Sequence, residues 1–171
     1  MNKIARLNQY GAQDERDCAP VRMPTDGARR ACLISRTSAS SLGLPEGVSV
    51  AGFLIEQTAD LPSAVRALAS RRSGCSVVFI NFDDFSGESV AIDLLRRLRT
   101  RSPNLPVILM SRTFRRDDLS QERLAITDIS LVSPIPDFGS IGPALEVAAL
   151  NNAAWRKRRR SLMLEKARQM N

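Results

Sequence analysis

Histidine is absent from the 171 residues. Without imidazole there is no Ser-His-Asp triad, no phosphohistidine relay and no histidine-based acid-base catalysis. Cysteine is scarce as well: Cys18, Cys32 and Cys75 are scattered without CxxC spacing, and no histidine is there to complete a zinc set. All three read as free thiols. No run of about 20 apolar residues occurs, so no membrane-spanning helix is expected. The opening stretch MNKIARLNQYGAQDER lacks the apolar core of a secretory signal. A cytoplasmic protein without membrane attachment follows as the expectation. A Gly-rich phosphate loop is also missing, and no acid-base pair stands out, so neither an enzyme nor a cofactor is expected.

What is present suffices for a core: 43% hydrophobic residues support one globular domain of roughly 120 to 130 residues, with tails. The formal charge of +7 is unevenly spread. Residues 31–151 hold 12 Arg against 13 Asp and Glu, whereas 152–171 hold seven bases against Glu165. Basicity is therefore a device of the C-terminal segment.

Residues 1–29 mix polar residues with Pro20 and Pro24 and show no sustained period, which predicts a loosely docked arm. Strands are expected at Ala31–Ser35, Val50–Gln57, Cys75–Asn81, Leu105–Ser111 and Asp128–Ser133. Between the first two, Gly43, Pro45 and Gly47 leave room only for a short or irregular helix. Asp60 is the expected N-cap of a helix through DLPSAVRALASRR. GESVAIDLLRRLRTR places Val90, Leu94, Leu95 and Leu98 on one face and arginines on the other, and RRDDLSQERLAI predicts a weaker helix. A last helix begins near residues 138–141 and runs on through the basic tail. This alternation predicts a doubly wound five-stranded parallel sheet with helices on both faces and an extended basic C-terminal helix. In such sheets chemistry collects at the carboxyl ends of the strands.

The stretch VVFINFDD, Val77 to Asp84, delivers such an end, with the amide Asn81 as its first polar residue. Together with LLRRLRTRSPNLPVILMS and ISLVSPIPDFGSIGPALEVAAL it resembles the receiver domain of bacterial response regulators, over about residues 30–150. The resemblance implies the flavodoxin-like strand order. It also implies a site made of two acids after the first strand for magnesium, a phosphate-accepting aspartate after the third, a hydroxyl after the fourth and a lysine after the fifth. That hydroxyl reports phosphorylation by moving onto the phosphoryl group. In this sequence the acid pair falls on Ser35 and Arg36, the nucleophile on Asn81, the hydroxyl on Ser111 and the lysine on Ser133, followed by Pro134. An amide cannot attack a phosphoryl donor as a carboxylate does. The implied protein is a pseudo-receiver in two-component signalling, folded, independent of phosphorylation and acting through protein contacts. A rival placement gives Asp83 or Asp84 the acceptor role; the plainer reading makes them loop acids exposed to water.

Residues 151–171 continue with strong helix formers and no Gly or Pro. Trp155, Leu162, Met163 and Met170 form a narrow apolar stripe, suited to a protein partner or a second copy. The five bases Arg156, Lys157, Arg158, Arg159 and Arg160 span about one and a half turns and point all around the axis. Phosphate-backbone binding by a nucleic-acid regulator is the alternative, and a solvated tail the third.

Overall fold

The structure, a computed structural model, describes residues 29–44, 53–68, 74–85 and 88–170. The expected arm up to residue 28, Cys18 and the start of the second expected strand lie outside the described residues. So do the end of the helix expected through residue 72, and Gly87.

Five strands form one parallel sheet: β1 (Arg29–Ile34), β2 (Phe53–Thr58), β3 (Cys75–Asn81), β4 (Val107–Ser111) and β5 (Ile129–Val132). Their order is β2-β1-β3-β4-β5, the flavodoxin-like order. β3 is apolar along nearly all its length because it is central and covered on both faces. Val77 and Phe79 point into one layer, and Val78 and Ile80 into the other. Ile108 with Met110, and Val107 with Leu109, repeat the division one strand over.

Among the described residues three α-helices cover these faces: α1 (Leu61–Leu68), α2 (Glu88–Arg101) and α3 (Ile141–Gln169). Leu61, Val65 and Leu68 of α1 and Leu95 and Leu98 of α2 fill one layer. Asp60 caps α1 as expected, accepting the Ser63 N–H at 3.1 Å. Ile141, Ala144 and Ala148 of α3 fill the other layer, beside Leu42 and Leu44. Among the described residues of the first crossover, 35–44, a single turn at Ser40–Leu42 supplies Leu42. Gly43 ends it at φ +76°, where a Cβ would lie 2.2 Å from the Ile135 carbonyl oxygen. Only glycine lets this segment close on Ile135, whose N–H donates to Leu42 O at 3.0 Å.

Two sequence expectations fail here. RRDDLSQERLAI forms no helix; it is a chain of turns with an isolated antiparallel bridge between Asp118 and Ser130. Short polar side chains compete with the helix for its backbone groups. Asp117 accepts the Val132 N–H at 2.8 Å, Asp118 accepts the Ser120 N–H at 3.0 Å, and the backbones of Asp118 and Ser130 exchange two bonds of 2.8 Å.

Arg99 is the second failure. It sits on the face of α2 expected to be wet, yet it is fully buried. Its guanidinium makes a two-pronged pair with Asp128, both bonds 2.8 Å. Nε and Nη2 also reach the Leu124 carbonyl at 3.2 and 3.0 Å. Asp128 Oδ2 further accepts from Val107 N–H at 2.7 Å and from the Asn152 amide at 3.4 Å. The Trp155 ring lies 5.2 Å from the guanidinium carbon. Burial pushes the Arg99 guanidinium down and the Asp128 carboxyl up, and the charge of each partner opposes that shift. Arg99→Met leaves Asp128 as an unpaired buried charge and is expected to cost about 3–5 kcal/mol. Urea denaturation at neutral pH measures it; unchanged stability would show that the pair carries little.

Candidate functional site at the strand ends

β3 stops at Asn81 and turns at once through Phe82–Asp84. Because β3 lies between β1 and β4, successive residues of this tight turn reach both neighbours. Asp84 turns to the end of β1. Its Oδ2 accepts the Ser35 hydroxyl at 2.6 Å, the Arg36 N–H at 2.6 Å and the Thr37 N–H at 3.3 Å, and its Oδ1 accepts the Thr37 hydroxyl at 3.2 Å. Asp83 turns to the end of β4, where Oδ1 accepts the Ser111 hydroxyl and Oδ2 accepts the Arg112 N–H at 2.8 Å.

The two grips are built alike because the same tripeptide, Ser-Arg-Thr, ends both strands, at 35–37 and at 111–113. In each, the serine hydroxyl and the arginine N–H hold a carboxylate while the threonine N–H donates to the serine oxygen, at 2.9 and 3.0 Å. The arginines act through their main chains: both side chains are exposed, and neither joins an ion pair among the described residues. Gln57 steadies the first grip by donating to the carbonyls of Ser35 and Thr37, both at 3.0 Å.

Of the residues singled out in the sequence, Ser35, Asn81 and Ser111 are buried at one end of the sheet. Arg36 is exposed but joins through its N–H. Asn81 Nδ2 donates to Ser35 Oγ at 3.4 Å, and Asn81 Oδ1 finds no protein partner. Ser133 is buried just past the end of β5, its N–H donating to Ser111 O of β4 at 3.0 Å and its hydroxyl unpartnered; the Ser133–Pro134 bond is cis. The fold brings Ser35, Asn81 and Asp84 together, and separately Asp83 with Ser111. Thr37 and Gln57 escaped the sequence reading, although the repeated Ser-Arg-Thr could have pointed to Thr37.

Magnesium, which the resemblance implies, does not fit this donor set. Ser35 and Arg36 offer no carboxylate after β1, and Asp84 is engaged by four donors. Among the described residues no group of three or more acids or cysteines is placed to hold a metal ion. Cys32, within β1, and Cys75, at the opposite end of β3 from the site, are free thiols, and burial pushes the Cys32 thiol up to about 12 and Cys75 up as well.

The extension of α3 is not one uniform surface. Trp155 packs beneath Arg99, while Arg156 Nη1 reaches Asn104 Oδ1 at 3.4 Å and Arg158 Nη2 reaches Gln121 Oε1 at 3.4 Å. Arg159 Nη1 donates to Thr100 O at 2.9 Å. Lys157, Arg160 and Leu162 are exposed, as are Met163 and Met170. Trp155 therefore belongs to the packed network, and the apolar stripe expected to include it begins only at Leu162.

No family model matches this chain, and no curated protein matches it in sequence. Solved structures do share its fold. A response regulator from Thermotoga maritima superposes with a TM-score of 0.54 at 14% identity, covering 71% of this chain and 98% of the other. An orphan response regulator of H. pylori gives 0.51 at 16%, covering 72% and 98%. A Burkholderia pseudomallei protein provisionally linked to pilus assembly gives 0.52 at 16%, covering 75% and 95%. The fold is thus that of receiver domains, from end to end of those chains. Among the described residues no helix is long and apolar enough to cross a membrane.

Burial would raise the Asp84 carboxyl, but bonds from the Ser35 hydroxyl, the Arg36 N–H, the Asn81 amide and the Thr37 N–H outweigh it and hold the carboxyl below its ordinary 3.8. A depressed folded value means that the stabilisation is whole above about pH 3.8 and is lost as pH falls through the lower folded value. Asp118, held low by Ser120, acts in the same window. Asp84→Asn is expected to flatten the acid limb of stability below about pH 4 in part, read from urea midpoints across a pH series. An unaltered limb would show that the grip carries no charge-dependent stability.

Proposed function

We propose that the chain is a non-enzymatic regulatory module of the receiver type, cytoplasmic and bacterial, in which a resident carboxylate replaces the phosphorylation cycle. It acts through protein contacts, with a partner chain or a second copy. One observation carries this reading: the Ser111 hydroxyl and the Arg112 N–H converge on Asp83. In the receiver scheme the hydroxyl after the fourth strand moves to bond an incoming phosphoryl group. Here an aspartate from the chain itself engages that hydroxyl.

The rest of the pocket supports the reading. Asp84 takes the donors at the end of β1, so an incoming phosphoryl group would have to displace two carboxylates without a metal ion or a lysine to balance its charge. Asn81 stands where the acceptor is expected and is buried beneath Asp84. The engaged state is connected to a surface. Ser133 N–H bonds Ser111 O, and beyond β4 the Arg99–Asp128 pair ties the loop after β4 to α3. Partners would meet the β4–β5 side and the exposed Leu162, Met163 and Met170 of α3.

Incubation with acetyl phosphate and magnesium, followed by intact mass, tests the reading. Neither the full chain nor Asn81→Asp is expected to gain a phosphoryl group; an adduct on Asp83 or Asp84, or on the Asn81→Asp variant, overturns it. Asp83→Ala is expected to speed amide hydrogen exchange at Arg112 and Thr113 at least tenfold, the effect of losing about 1.5 kcal/mol in a charge-assisted bond. Unchanged exchange would show that Asp83 holds nothing in place.

A further inference from the structure

The basic helix does not act alone in this fold. α3 passes the C-terminal end of α2, where Arg159 donates to Thr100 O and Arg156 reaches Asn104. α2 brings cations of its own: Arg96, Arg97 and Arg101 line an exposed groove of about 360 Å³ with Asp93 and Thr100. Arg97 and Arg101 are one turn apart on α2, as Arg156 and Arg160 are on α3, so each pair shares a side of its helix. Thr100 is common to both elements, lining the groove and accepting from Arg159. Of the six arginines at 96, 97, 101, 156, 159 and 160, only Arg96 has an acid within ion-pair distance among the described residues, Asp93 at 3.5 Å. Both members of that pair are well exposed, and such pairs contribute little.

We propose that this two-helix surface binds the phosphate backbone of a nucleic acid without reading its sequence. All six cations are arginine, whose fork matches two phosphate oxygens at once and sheds water more readily than an ammonium group. Several uncompensated guanidiniums on adjoining helices suit a polyanion with closely spaced charges, from which binding releases counterions. An acidic protein fits less well, because a protein interface needs a dry core with aromatic anchors. Trp155, the only aromatic residue of the extension, is already packed against Arg99. Contacts to phosphate carry no sequence information, so affinity would depend on charge and hardly on sequence.

Fluorescence anisotropy on the full chain, with a labelled mixed-sequence single-stranded RNA and a DNA duplex over a salt series, tests this. Log affinity is expected to fall linearly with log salt at a slope of about −3 to −5, the release from roughly four to six phosphates. Arg97→Ala with Arg101→Ala, two exposed positions, is expected to weaken binding about tenfold and to reduce the slope by about 2, with circular dichroism and the urea midpoint unchanged. Three results overturn the proposal: no binding to either probe at low salt, unaltered binding by the Arg97/Arg101 variant, or equal affinity for polyglutamate. The last would assign the surface to acidic protein. The phosphorylation test of the pocket is independent of all three.

Discussion

One buried ion pair decides how the far half of this molecule is assembled. Desolvating a guanidinium and a carboxylate costs several kcal/mol for each ion, and the cost is offset only where geometry and further hydrogen bonds are good. Arg99 and Asp128 meet that condition. Both arms of the guanidinium find a carboxylate oxygen, two further bonds go to Leu124 O, and Val107 N–H and the Asn152 amide add to Asp128. The partners come from α2, β4, the turns before β5, and α3. No one of these elements can shift without exposing a charge to an apolar surround. The segment between β4 and β5 can dispense with a helix because its backbone is held at Leu124 and Asp128, and Asn151 adds bonds to Leu119 O at 3.0 Å and Asp128 O at 2.8 Å.

The carboxyl end of the sheet solves a similar problem by other means. Two adjacent aspartates at the end of a central strand repel each other and call for compensation. A metal ion or a lysine would supply it as full charge. This chain supplies hydroxyls and main-chain amides, two Ser-Arg-Thr grips facing opposite ways. Neutral donors stabilise a carboxylate without drawing in a further anion, whereas a cation would leave net positive charge to be satisfied by phosphate.

How much of this was legible follows from what periodicity measures. The apolar run of β3 and the bounds Cys75–Asn81 are plain in the sequence because burial on both faces leaves no polar position to confuse the period. The start of α3 at Ile141 follows the turn at Phe138–Ser140 within the expected range. Arg99 was misread because a helical wheel assigns every arginine to water, and its partner lies 29 residues away in a segment with no regular period. RRDDLSQERLAI was misread for a related reason: its composition favours helix, while Asp117, Asp118 and Ser120 spend their side chains on the backbone. Asp83 and Asp84 were visible, but their opposite directions come from a three-residue turn whose effect no spacing rule conveys.

Asn81 makes sense within that arrangement. An aspartate there would place a third carboxylate beside Asp84, buried, with no cation to hold it, and each charge would raise the others' proton affinity. The amide does the reverse. Its Nδ2 donates toward Ser35 and helps keep Asp84 ionised, so Asp84 can hold the end of β1 at neutral pH. The cost is a buried Oδ1 without a protein partner, about 1–3 kcal/mol for a neutral acceptor, less than an unpaired buried charge would cost. Asparagine at the end of β3 is therefore a residue type that adds a donor beside Asp84 without adding a third charge next to the two aspartates that follow it.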